Sequence, residues 1–545
     1  MPGEADPDAY DSRRSTVYAR NGVVSTSQPL AARAGVRVLE DGGNAFDAAV
    51  ATAATLNVVE PMNTGVGGDV FALYRTADGE VGALQACGKS PADAAFEDVR
   101  RDVADERGVP VEEVTDVPVH SPHAVTVPGT VRGWEATLDR HGRRTLAEVL
   151  EPAIGYARDG YPVTEIIAGA WAGSAELLAA DDDAREEYLI DGRAPRTGEV
   201  IRHPNLGDTL ATIAAEGPDV LYGGEIGEAI ASTVQDRGGH LSVEDLAGFE
   251  PAFVEPESVE YGGVEIYELP PTNQGLIALE AMAVADAAGA GVHAYESPDR
   301  VHAFAESMKR AFHDGHRYIA DPDFEPVPAL HDPDYAAERA AEIGDRAAEA
   351  TYGDPPLGSS TAEDADTVLL TVADGEGNVV SYINSLYHGF GSGIVAEGTG
   401  ICLQNRGACF SLDPDHPNCY EAGKRPFHTL IPGLARFGDD DWAAFGVMGG
   451  YMQPQGHLQV IANLVDYGMD LQGALDAPRW RYFADGTLGV EERFLRPIAT
   501  KLARRGHDVR VHPGGAFGGG QIARYDDGVL SAATEPRKDG LAIGF

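Results

Sequence analysis

The chain has 545 residues, 43% of them hydrophobic, enough for a large core and more than one ordinary domain. With 87 acidic against 41 basic residues its formal net charge is −46, which argues against nucleic-acid or anionic-membrane partners. No run approaches the about 18 uninterrupted apolar residues of a membrane span, and the acidic N-terminus MPGEADPDAYDSRRST lacks the features of a secretory signal, so a cytoplasmic protein is expected. The acid is spread along the chain and only five basic residues are Lys, a balance that resembles proteins adapted to high salt, where screening weakens self-repulsion.

In chain order, residues 1–20 read as a loose lead-in. The segment from Pro29 to Pro61 holds two helical patterns separated by Asp41-Gly42-Gly43-Asn44. Residues 100–118 are acidic and read as a solvated surface segment. Long helical patterns follow around 131–160, 165–190 and 206–236, and another spans 294–320, opened by Ser297-Pro298. Residues 353–366 are rich in Gly, Pro and acid, as an exposed linker would be. Beyond 367 the pattern turns to strands, with later helices near 455–477. Segregated strands and helices indicate an α+β layered fold.

The four cysteines, Cys87, Cys402, Cys409 and Cys419, form no CxxC pair and are too few for a disulfide framework, so they read as free buried thiols. His120-Ser121-Pro122-His123 sets a Pro between two His without further ligands nearby in sequence, and no metal site is read there. No cofactor motif is present, so none is expected.

Residues 361–388, TAEDADTVLLTVADGEGNVVSYINSLYH, describe a hairpin. Residues 367–373 and 379–385 are rich in Val, Leu, Ile and Thr, and Asp374-Gly375-Glu376-Gly377-Asn378 is dense in turn formers. A turn centred on Glu376 sets Thr367 opposite Ser385. Directly opposed residues have Cβ atoms roughly 4.5–5.5 Å apart, within hydroxyl contact. A Thr at a strand start after the polar Glu363-Asp364-Ala365-Asp366 is where a proenzyme would be cut to free an N-terminal Thr. Such a residue carries its nucleophile and its base on one amino acid.

Several blocks together resemble the γ-glutamyltranspeptidase (glutathione hydrolase) family of N-terminal-nucleophile hydrolases. They include Asp41 to Ala49 (DGGNAFDAA), Gly65-Val66-Gly67-Gly68, Val127-Pro128-Gly129-Thr130, Pro270 to Gly275 (PPTNQG), Glu306 to Phe312 (ESMKRAF), Asp366-Thr367, Phe390-Gly391-Ser392-Gly393 and Gly449-Gly450. They occur in the family's order over nearly the whole chain. The resemblance implies a four-layer αββα sandwich made as one precursor that cuts itself at Asp366–Thr367. Residues 1–366 become a large subunit and 367–545 a small one, a heterodimer of its own products that can assemble further. It also implies Thr367 as nucleophile, Ser385 as a second hydroxyl that orients it, and Gly449 and Gly450 at the oxyanion hole.

The substrate clamp departs from the family pattern. Cys87 stands where the family has an Arg, with Lys89 nearby; Tyr387 replaces an Asn, Arg406 a Gln, Cys409 an Asp, and His428-Thr429 a Ser-Ser pair. The stretch from Asn405 to Pro432 is more similar to the acylase-like branch. Lys89, Tyr387, Arg406, His428 and Thr429 are therefore the expected substrate-binding residues. The expected activity is cofactor-independent cleavage of a γ-glutamyl or similar small amide through an acyl-enzyme on Thr367, completed by water or an amine acceptor. An acylase for non-γ-glutamyl amides and an uncut, catalytically silent amide binder are the alternatives.

Overall fold

A computed structural model describes residues 14–349 and 367–545. The whole 353–366 linker region, Asp366 included, and residues 1–13 of the lead-in lie outside the described residues. Two seven-stranded antiparallel sheets form the centre. One runs, in spatial order, Leu541–Gly544, Gly22–Thr26, Val368–Asp374, Val379–Ser385, Asp69–Arg75, Val81–Ala86, Ala252–Val254. The other runs Val17–Ala19, Val529–Thr534, Gly519–Asp526, Asp441–Met448, Gly433–Gly438, Val264–Glu268, Glu257–Tyr261. Val23, Phe71, Leu73, Leu369, Ile383, Leu434, Ala444 and Met448 pack between them. Each of these side chains larger than Ala444 contributes roughly 1.5–3 kcal/mol when taken out of water.

Helices cover both outer faces. Pro29–Glu40, Ala45–Val59 and Thr130–His141 lie over the first sheet, with Val24, Leu370 and Tyr382 in their core, and Leu146–Asp159 packs on Ala45–Val59. Gly275–Ala287 and Met452–Val465 lie over the second, and Pro298–Tyr318 packs on Gly275–Ala287. The expected αββα sandwich is therefore present. All fifteen residues of Ala45–Val59 are buried, which its Ala- and Thr-rich composition permits, because small side chains let neighbours approach on every face. Each sheet contains strands from both sides of residue 366, so a cut there would leave the two pieces sharing both sheets.

The expected helices appear with more breaks than their patterns suggested. The 131–160 pattern is two helices, because Gly142 ends one and Thr145 caps the next in a capping box with Glu148. The 165–190 pattern is three short helices, split at Ser174 and before Asp181, whose side chain caps Ala184. Gly217-Pro218 divides the 206–236 pattern, and the 455–477 pattern divides around Gly468. Residues 100–118 are the larger correction. They contain most of the helix Phe96–Arg107 and a 3-10 turn, Val111–Glu113, and bury Val103, Ala104, Val114 and Val117 beneath the acidic face.

Candidate active site

The hairpin has the expected register. Val368 pairs with Asn384 and Ala373 with Val379, so the ladder extrapolates to Thr367 opposite Ser385. Asp374 fixes the turn: its carboxylate accepts from the Glu376 and Asn378 amides at 3.0 and 3.1 Å. Its other oxygen accepts from the Ala45 amide at 2.9 Å, tying the hairpin tip to a helix N-terminus. At the open end the Thr367 and Ser385 hydroxyl oxygens are 3.1 Å apart, both buried. Ser385 Oγ also accepts from the Tyr387 amide at 2.8 Å, which holds Tyr387 at φ 81°.

Gly449 and Gly450 follow the strand Asp441–Met448, which crosses the hairpin strands. Ser381 Oγ donates to the Phe445 carbonyl at 2.9 Å, and a Cβ on Gly446 would lie 2.8 Å from Leu369. The strand thus runs toward the Thr367 end of the hairpin. Both glycines have positive φ, 119° and 55°, and among the described residues neither N–H donates in a turn or loop hydrogen bond. They can therefore turn amides toward a developing oxyanion. The Gln274 side-chain amide holds the turn, donating to the Gly450 and Thr429 carbonyls at 3.0 and 2.5 Å.

Beside the hydroxyl pair lies a buried charged cluster. Asp69 is paired with Ser385 in the sheet and is fully buried. Its Oδ2 is 3.0 Å from His428 Nε2, and its Oδ1 accepts from Gln404 at 3.0 Å. The Leu430 amide donates to His428 Nδ1, which places the imidazole proton on Nε2, facing Asp69. Burial keeps His428 neutral, lowering its pKa well below the ordinary value, with Arg406 adding to the effect. Burial pushes the Asp69 carboxyl up to about 7, against the opposing pull of Arg406 and its hydrogen bonds.

Arg406 is the unusual member. It is completely buried, and its Nη1 donates to Thr429 Oγ1 at 2.7 Å. Its guanidinium sits 4.3 Å from the Tyr387 ring centre, and its nearest carboxylate oxygen, on Asp69, is 4.0 Å away. Nε and Nη2 meet no oxygen or nitrogen acceptor, and the Cys409 thiol lies against the guanidinium. A buried cation with two idle donors is costly unless something supplies the acceptors.

The structure thus brings Thr367, Ser385, Tyr387, Arg406, His428 and Thr429 into one region. Lys89 is different: it is exposed, in a surface cleft of about 430 Å³ that also includes Cys87 and Arg425. Cys87 forms the buried end of that cleft, and the charges of both Asp69 and Arg406 act on it. Asp69 and Gln404 were not singled out from the sequence, and Gln274 only as part of the Pro270 to Gly275 block. The one available signal was a lone acid directly after Gly65-Val66-Gly67-Gly68, opening an apolar strand.

Ser385→Ala is expected to slow turnover roughly two- to twelve-fold, the equivalent of about 0.5–1.5 kcal/mol for one oriented hydrogen bond. Steady-state kcat and a time course of chain processing check this; unchanged values in both would remove Ser385 from the machinery.

The model for γ-glutamyltranspeptidase matches residues 31–545. A glutathione hydrolase-like proenzyme, YwrD of Bacillus subtilis (strain 168), is 36% identical, covering 98% of this chain and 100% of its own. The oxamate amidohydrolase proenzyme of Klebsiella pneumoniae subsp. pneumoniae is 35% identical, over 97% of this chain and 100% of its own. The crystal structure of a cephalosporin acylase from Bacillus halodurans superposes with a TM-score of 0.88 at 41% identity, covering 100% of this chain and 99% of that one. Family match, end-to-end relatives and shared fold agree: the chain belongs to the γ-glutamyltranspeptidase family and is an enzyme of that hydrolase and transferase kind.

Proposed function

We propose that this protein is a self-processing N-terminal Thr hydrolase for amides whose acyl group ends in a carboxylate. Cleavage at Asp366–Thr367 converts the Thr367 amide nitrogen into a free amine, and only then is a base available. A free α-amino group titrates at roughly 7.7–8.0, well placed to take a proton and return it. The Thr367 hydroxyl attacks the substrate carbonyl while its proton passes to that amine. The Gly449 and Gly450 amides receive the oxyanion. The leaving amine takes the proton back, an ester on Thr367 remains, and water or an amine acceptor completes the cycle.

The observation that carries the substrate class is Arg406. Its idle Nε and Nη2 suit a carboxylate, which would accept both donors at once. A γ-glutamyl group also brings an ammonium, and the nearest acid, Asp69, already accepts from His428 and Gln404. An acyl group such as glutaryl brings the carboxylate alone. The relative that acts on oxamate, an amide bearing a carboxylate, fits the same chemistry.

The test compares kcat/KM for glutaryl and γ-glutamyl anilides at one high salt concentration. Glutaryl is expected to match or exceed γ-glutamyl. A γ-glutamyl advantage of about 10²-fold or more, roughly 2.7 kcal/mol, would make Asp69 the acid that holds the ammonium and overturn the reading.

The pH dependence follows from Asp69. Protonated below about pH 7, it leaves Arg406 to the substrate; ionised above, it competes for Arg406 and repels the incoming carboxylate. KM for a glutaryl anilide is therefore expected to rise between about pH 6 and about pH 8, and Asp69→Asn to flatten that rise. A wild-type KM that stays level over this range would contradict the assignment.

A further inference from the structure

Away from the hydroxyl pair, three side chains from distant parts of the chain converge. Asp102 lies on the helix Phe96–Arg107, His123 on the 3-10 turn Pro122–Ala124, and His240 on the loop after the helix Glu225–Asp236. One potential ligand atom from each lies within 4.8 Å of the other two. His240 Nε2 and Asp102 Oδ2 are 3.1 Å apart, and the rings of His123 and His240 are 5.4 Å apart. Ligand atoms around a tetrahedral zinc, at about 2.0–2.1 Å from the ion, sit about 3.3 Å from one another. The Asp102 and His240 side chains are partly exposed, so small rotations bring them to that spacing.

We propose that Asp102, His123 and His240 bind a divalent transition-metal ion of the zinc type. His123 supplies an observation independent of the clustering. It is only 7% exposed, and its Nδ1 is buried without a hydrogen-bond partner. A buried imidazole nitrogen with no proton partner is costly as it stands and is satisfied by a metal. Burial lowers the pKa of His123, keeping it in the neutral form that ligates. Its charged and titratable neighbours are His240, Asp102 and Glu106. Glu106 accepts from Ser121 Oγ at 2.8 Å and stands one helical turn beyond Asp102, where it adds negative charge beside the ion.

The backbone is already arranged to hold these ligands together. A Cβ on Gly239 would lie 3.0 Å from the Pro122 side chain, so loop and turn touch. Ser121 Oγ accepts from the His123 amide at 3.3 Å and caps the turn. A second trio, His302, Glu306 and His507, is geometrically as close but chemically unsuited. His302 uses both ring nitrogens, on His507 and on the Gly344 carbonyl, each at 2.8 Å. Glu306 is held by Lys309 and Arg310.

The location suggests what the ion does. The carbonyl of Ala124, next to His123, would lie 2.8 Å from a Cβ placed on Gly407, the neighbour of Arg406. The ion would fasten a helix, a turn and a loop against the segment that carries the buried guanidinium. Its part is structural: it stiffens the wall behind Arg406 and takes no part in acyl transfer.

The test uses the full-length purified protein, dialysed against chelator and titrated with zinc chloride by calorimetry. Cobalt serves as a spectroscopic probe. One equivalent is expected to bind saturably, cobalt is expected to give visible bands of tetrahedral coordination, and the melting temperature is expected to rise with zinc. His240→Ala and Asp102→Asn, both at partly exposed positions, are expected to keep the fold by circular dichroism and to lose the cobalt bands and the melting shift. His507→Ala is expected to keep both. Absence of saturable one-equivalent binding in the wild type would overturn the proposal. So would binding that survives His240→Ala, or binding that is lost only in His507→Ala. None of these readouts depends on amidase activity, so they stand or fall separately from the substrate assignment.

Discussion

Thr367→Ala is expected to remain an uncut chain of 545 residues and to lose activity by at least about 10³-fold. The reason is a double dependence. Without the hydroxyl there is no nucleophile to attack the preceding carbonyl, so the amine that would serve as base is never released. A gel of the purified variant beside the wild type reads the first effect, and an anilide assay reads the second. Thr367→Ser separates the two roles, because it keeps a hydroxyl and should process and turn over measurably, though more slowly. A Thr367→Ala protein that still splits at 366/367, or retains activity within about tenfold of wild type, would require a different nucleophile.

Arg406→Gln is the second large effect. Gln keeps a donor for Thr429 but removes the charge and the two idle N–H groups. Loss of one partner in a buried charge pair costs about 2–5 kcal/mol, so kcat/KM for a glutaryl anilide is expected to fall roughly 30- to 4,000-fold. The loss should appear mainly in KM if the carboxylate is bound equally in ground and transition states. An uncharged acyl group of similar length should lose far less. Equal losses for charged and uncharged substrates would mean that Arg406 maintains the fold, not the specificity. The distinction is real, because Arg406 also packs on Tyr387 and near Asp69.

What could be read from sequence, and what could not, follows from the range of the interactions. The hairpin register was legible because a short turn of Asp and Gly fixes strand pairing locally. Its reward was the Thr367–Ser385 contact, eighteen residues apart. Helix content was legible from periodicity, but the breaks at Gly142, Ser174 and Gly217-Pro218 were set by caps and turns that the apolar pattern does not register. The 96–107 helix was hidden by its acidic face, since only Val99, Val103 and Ala104 turn inward. Asp69 meets His428 across 359 residues, and no spacing in the chain announces such a pair. His123 and His240 meet in the same way; a reading limited to neighbours in sequence finds no further ligand for His123 because its partners lie elsewhere in the chain. The altered clamp is the intermediate case. Arg406 and Thr429 were expected at the pocket, but only the fold shows that they hold one another and that Arg406 keeps two donors unused.

The most direct test of the account is the intact mass of the purified wild-type protein, recorded before and after brief mixing with a glutaryl anilide and an acid quench. Two chains are expected, the smaller beginning at Thr367, with a transient gain of one glutaryl group on that smaller chain, mapped to Thr367. A single uncut chain that turns over the substrate, or an acyl group carried anywhere but Thr367, would contradict it.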